Sequence, residues 1–102
     1  MGKDDPRDVF LFEPVGAHVD GTVITSAVEL TASAPAAATK IMIQAQAQNV
    51  RFTLDGTTPS ATVGFTLVAG DPPIILQLGN DVEITVIEEA ATADLQYQWG
   101  KG

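Results

Sequence analysis

The side chains able to do acid–base or nucleophilic chemistry are few and scattered. His18 is the only histidine in 102 residues, and the serines are Ser26, Ser33 and Ser60. A Ser-His-Asp triad would have to use His18 with one of those three. None of them stands in a Gly-x-Ser-x-Gly turn, the strand-to-helix elbow that exposes a serine nucleophile. His18 is therefore read as a structural or surface residue. Glu88 and Glu89 are adjacent in a segment that reads as a strand, so their side chains leave opposite faces and make a poor dyad. Asp55 and Asp71 are the separated carboxylates that would have to meet in space to act as acid and base. Asp20-Gly21-Thr22 and Asp55-Gly56-Thr57 place oxygens on tight turns, which calcium tolerates. Neither extends into the spaced Asp/Asn pattern of a calcium loop, and turn chemistry alone accounts for both. No metal, cofactor or catalytic residue is expected, and the chain reads as a non-enzyme that presents a surface.

The elements that position these residues are short strands. From Lys40, the residues Ile41, Ile43, Ala45 and Ala47 fall on one side of an extended chain, and Met42, Gln44, Gln46 and Gln48 on the other. A two-residue period marks a half-buried strand. Val50 to Leu54 alternates again, followed by the turn Asp55 to Ser60, in which Gly56 supplies positive φ and Pro59 ends the ladder. Further extended segments are read at Val9 to Glu13, Thr22 to Thr25, Ala27 to Thr31, Phe65 to Val68 and Ile74 to Leu78. Val82 to Glu88 and Asp94 to Trp99 read as a terminal pair. Asp20-Gly21, Gly70-Asp71-Pro72-Pro73 and Gly79-Asn80-Asp81 punctuate them as turns. Ala32 to Thr39 is read as a loop, since Pro35 and the short length disfavour a helix despite the alanines. Seven or eight short strands with turn signals at this spacing predict an all-β fold: a single antiparallel β-sandwich or jelly-roll-like domain over residues 9–102, behind a flexible N-terminal arm, residues 1–8.

Composition narrows the partners. Thirteen acidic residues stand against five basic ones, a formal net charge of -8. Phosphate binding needs clustered Lys and Arg, whereas Lys3, Arg7, Lys40, Arg51 and Lys101 are dispersed, so neither nucleic acid nor an anionic membrane is an expected partner. The acidic balance suits solubility or docking on a basic protein face. The absence of cysteine excludes disulfides and thiolate ligands, and favours a reducing compartment or stabilisation by assembly. No signal peptide or membrane-spanning apolar run is read in the sequence.

Candidate interface residues are Arg7, Phe10, Gln44, Gln46, Gln48 and Trp99. A solvated strand face usually mixes Lys and Glu, whereas the row Gln44, Gln46, Gln48 is uncharged, so packing against another subunit and plain solvation both stay open. Leu95, Tyr97 and Trp99 alternate with Gln96 and Gln98: either a last strand with its apolar face in the core, or one that presents Trp99 as an exposed aromatic anchor.

The ordered series Ile43-Gln44-Ala45, Gln48-Asn49-Val50-Arg51-Phe52, Asp55-Gly56-Thr57-Thr58-Pro59, Gly64 and Pro73-Ile74 resembles small virion structural proteins of tailed bacteriophages. The resemblance continues through Ile84-Thr85-Val86-Ile87-Glu88 and the polar-aromatic strand Leu95 to Trp99, and covers roughly residues 24–99. It implies a capsid decoration (cement) protein on the outer surface of the virion head, made in the host cytoplasm. Its partner would be the major capsid protein, and a homo-oligomer, a trimer by preference, would clamp neighbouring capsid subunits. A receptor- or carbohydrate-binding module of a fibre, neck or tail is the alternative.

Overall fold

A computed structural model describes residues 12–102. Within these residues, nine strands form two antiparallel sheets packed face to face. The strands are β1 (Glu13–Pro14), β2 (Val19–Thr22), β3 (Val28–Glu29), β4 (Lys40–Gln46), β5 (Val50–Thr53), β6 (Phe65–Leu67), β7 (Ile74–Gln77), β8 (Thr85–Glu88) and β9 (Asp94–Lys101). One sheet runs β1-β9-β4-β7, with β2 also on β9; the other runs β3-β8-β5-β6. β1 and β2 lie end to end along the same edge of β9, since Glu13 and Pro14 oppose Lys101 and Gly100 while Val19 and Thr22 oppose Tyr97 and Leu95. Counted as one interrupted strand, they complete an eight-stranded jelly roll, in which successive strands alternate between layers except at the β5–β6 hairpin.

The core follows from the two-residue period. β4 buries Ile41, Ile43 and Ala45, and β9 buries Leu95, Tyr97 and Trp99. They pair across the sheet as Ile41 with Trp99, Ile43 with Tyr97 and Ala45 with Leu95. Val50, Phe52, Leu67, Ile84 and Val86 come from the opposite layer. Alanine faces leucine where the layer must accommodate a larger neighbour, which is how facing side chains fill an interior at native density.

Three local readings change. Asp20-Gly21 is a bulge inside β2, not a turn between elements. Asp20 and Gly21 stand between Val19 and Thr22 where Gln96 alone stands between their partners Tyr97 and Leu95, and Gly21 takes φ 70° to absorb the extra residue. The strand predicted from Ala27 to Thr31 stops at Glu29, and Leu30–Ser33 winds into one 3-10 turn. There the Thr31 hydroxyl accepts the Ile84 N–H at 3.3 Å and donates to the Glu29 carboxylate at 2.7 Å. A side-chain oxygen thus takes the place of a ladder carbonyl and ends the pairing. The last two strands are not a hairpin: β8 pairs with β3 and β5, and β9 with β1, β2 and β4, so residues 89–93 cross between layers. Of the strand read at Val9 to Glu13, only its end falls within the described residues, as β1.

Candidate interaction surfaces

The residues singled out for chemistry are not brought together. His18 Nε2 lies 2.6 Å from Gln96 Oε1, so the ring's partner is an amide. Asp55 follows the end of β5 and bridges to Glu83, whereas Asp71 lies beyond β6 beside the start of β5; the carboxylates sit at opposite ends of one strand. Glu88 accepts the Ala93 N–H at 3.3 Å and Glu89 pairs with Arg51 at 2.6 Å, each committed elsewhere. Among the described residues, no three His, Asp or Glu side chains are grouped to hold a metal ion. No helix there is long and apolar enough to cross a membrane.

What the sandwich does present is an amide-rich sheet face. Gln44 opposes Gln96 and Met42 opposes Gln98, so the outer sides of β4 and β9 carry paired uncharged side chains. Each amide is tied down. Gln46 donates to Gln44 at 2.9 Å, and Gln44 donates to the Asp71 carbonyl at 3.0 Å. Gln96 donates to Asp20 and Asp94. Gln98 donates to the Gly16 carbonyl at 3.1 Å and to the Trp99 carbonyl at 2.9 Å. A small hollow of about 110 Å³ opens among His18, Met42, Gln44, Gln96 and Gln98. Side chains already fixed in one geometry lose little further entropy when a partner covers them.

This face corrects two expectations and adds two residues. Gln48 does not continue the row. Ala47 takes φ 69° and the Gln48 N–H reaches back to the Gln46 carbonyl at 2.8 Å, a γ-turn that ends the alternation. Trp99 is no surface anchor: it is 4% exposed and packs edge-to-face on Tyr97 at 5.7 Å between ring centroids. Gln96 and Gln98 belong to the face instead. Their signal was in the sequence, as the same Gln alternation in the last strand, but only the β4–β9 register sets them beside Gln44. Arg7 and Phe10 lie outside the described residues, as does the arm, residues 1–8.

The second surface is the sandwich edge formed by β6 and β7. There a groove of about 430 Å³ opens between the layers, floored by Ala45, Phe52 and Leu67 and walled by Phe65, Pro73 and Ile74. Phe65 stacks at a tilt on Phe52, 5.5 Å between centroids, yet remains 63% exposed at the mouth.

The motifs that carried the resemblance fold into supports. Arg51 bonds the Glu89 carboxylate and, at 3.1 Å, the Gly64 carbonyl. Asn49 Oδ1 accepts the Ala69 N–H at 2.9 Å, anchoring the chain between β6 and β7. Asp55 Oδ1 accepts the Thr57 N–H at 3.0 Å. Hydrogen bonds from the Thr57 hydroxyl, and then from its N–H, hold the Asp55 carboxyl below its ordinary value. Gly56 takes φ 86° in this turn, and Pro59 is buried at its end. The chain matches no protein-family model, no curated protein and no solved structure.

Proposed function

We propose that this chain is a non-enzymatic structural protein of a tailed-phage virion, a decoration protein that binds the outside of the head and stabilises contacts between major capsid subunits. The observation that carries the reading is the amide-rich outer face of β4 and β9, a prearranged surface, bordered by Asp20 and Asp94, that is suited to lying against another protein. The ordered motif series supports it, and jelly rolls are a common architecture for capsid-associated domains. Many weak copies on one particle reach high occupancy through simultaneous contacts. The test mixes purified protein with empty capsids and measures co-sedimentation and the temperature at which the shell breaks. The protein should co-sediment and raise that temperature. Gln44→Lys with Gln46→Lys should abolish both effects while circular dichroism stays unchanged, and deletion of residues 1–8 should weaken binding. Failure of the wild-type protein to bind sinks the proposal.

The groove favours a second reading, a carbohydrate- or receptor-binding module, because the exposed Phe65 ring stands beside Gln44 and Asp71 in its lining. Glycan-array binding lost on Phe65→Ala would support that reading over the first. Trp99→Ala cannot discriminate them, since it would disrupt the core.

A further inference from the structure

We infer that the β6–β7 edge is a self-association surface and that its occupant is a second copy of this chain, paired β7 to β7 about a two-fold axis. The sequence from Thr57 to Asn80 builds this edge and carries one ionisable side chain, Asp71, in a chain with 18% charged residues. Among the described residues, five of the seven exposed large hydrophobic residues lie in it: Val63, Phe65, Val68, Ile74 and Ile75. Sheet edges are normally guarded by charged side chains, because their outward N–H and C=O groups template pairing with another strand. Here Pro72 and Pro73 shorten the edge, and Asp71 is the one charge in the segment that builds it.

The hydrogen-bond pattern says which groups face out. The Leu78 N–H bonds the Thr39 carbonyl at 2.9 Å, one step beyond the Lys40–Gln77 pair. Antiparallel ladders alternate, so Leu76 and Ile74 also turn their polar groups toward β4, and Ile75 and Gln77 turn theirs outward. A two-fold axis at Leu76 sets Ile75 opposite Gln77 of the second copy, and each such pair exchanges two backbone bonds. The joined sheet then brings the two apolar grooves together at the seam.

The edge matches itself: a second copy presents the same outward groups at Ile75 and Gln77, so one two-fold pairing satisfies both edges at once. Like net charge, -8 on each copy, opposes the contact least across this nearly uncharged patch. The inference stands apart from the virion reading: a dimer that ignores capsids would sink that reading and leave this one intact.

Sedimentation equilibrium over a range of protein and salt concentrations tests it. The wild-type chain should reach the mass of two copies, and added salt should tighten the dimer by screening the repulsion between its halves. Ile75→Lys, which adds a charge, and Gln77→Pro, which removes an outward donor, should each weaken it at least about tenfold, about 1.4 kcal/mol. Ser33→Lys, exposed on the 3-10 turn, should leave it unchanged, and circular dichroism verifies that all variants fold. A single-copy mass under all conditions, a three-copy mass, a dimer that salt dissociates, or one indifferent to both edge variants would overturn the inference.

Discussion

Replacing Phe52 with alanine tests how the two layers are faced. Phe52 is 6% exposed in β5, between Val86 on one neighbouring strand and Phe65 on the other. Its transfer from water is worth about 2–3 kcal/mol. In a sealed core the residual cavity raises the total to about 3–5 kcal/mol. Phe52 also floors the 430 Å³ groove, so the vacated space opens to solvent and the cavity contribution shrinks. The expected loss is therefore at the lower end, about 3 kcal/mol. A domain of this size unfolds with an entropy of about 0.2 kcal/mol/K, which converts that loss to a fall in Tm of about 14 °C. Phe65→Ala is the internal comparison: with Phe65 63% exposed, it should cost under about 1 kcal/mol, or about 5 °C. Urea titration and thermal scans at low protein concentration, where any edge contact is dissociated, isolate the intramolecular effect. Equal losses for the two variants, or under about 1 kcal/mol for Phe52→Ala, would mean that β5 is faced the wrong way.

Two further outcomes follow from backbone and charge. Gly64 has φ 121°, and a Cβ there would stand 2.9 Å from the Phe52 carbonyl oxygen. Gly64→Ala should cost about 3 kcal/mol by urea titration, more than the roughly 1–2 kcal/mol expected for Gly70→Ala, since Gly70, at φ 86°, has open space. Because the folded Asp55 carboxyl is held below its ordinary value of 3.8, its stabilising contribution is present above the unfolded pKa and is lost as pH falls through the lower folded value. Wild type should therefore exceed Asp55→Asn in stability near about pH 6, and the gap should shrink as pH falls below 3.8; a gap that widens in acid would refute the sign.

The amino-acid order alone determined the fold class and most of the strands, because alternation of side chains is a local property. Ile41, Ile43 and Ala45 against Met42 and Gln44 specify a half-buried strand whatever lies beside it, and Asp55 to Pro59 specifies its turn through its own hydrogen bonds. What the sequence left open was decided by neighbours distant in the chain. Asp20-Gly21 has the composition of a turn, and only its pairing with β9 makes it a bulge. β8 and β9 are consecutive strands, and only the layer crossing at residues 89–93 separates them into different sheets. Trp99 suits a surface anchor as well as a core, and the opposing layer buries it. The amide face exists because the β4–β9 register puts Gln96 beside Gln44, a match of residues 52 positions apart that no local pattern encodes. The run from Thr57 to Asn80, with Asp71 its one ionisable side chain, was legible as composition, but it became a surface only when β6 and β7 closed the same side of the sandwich.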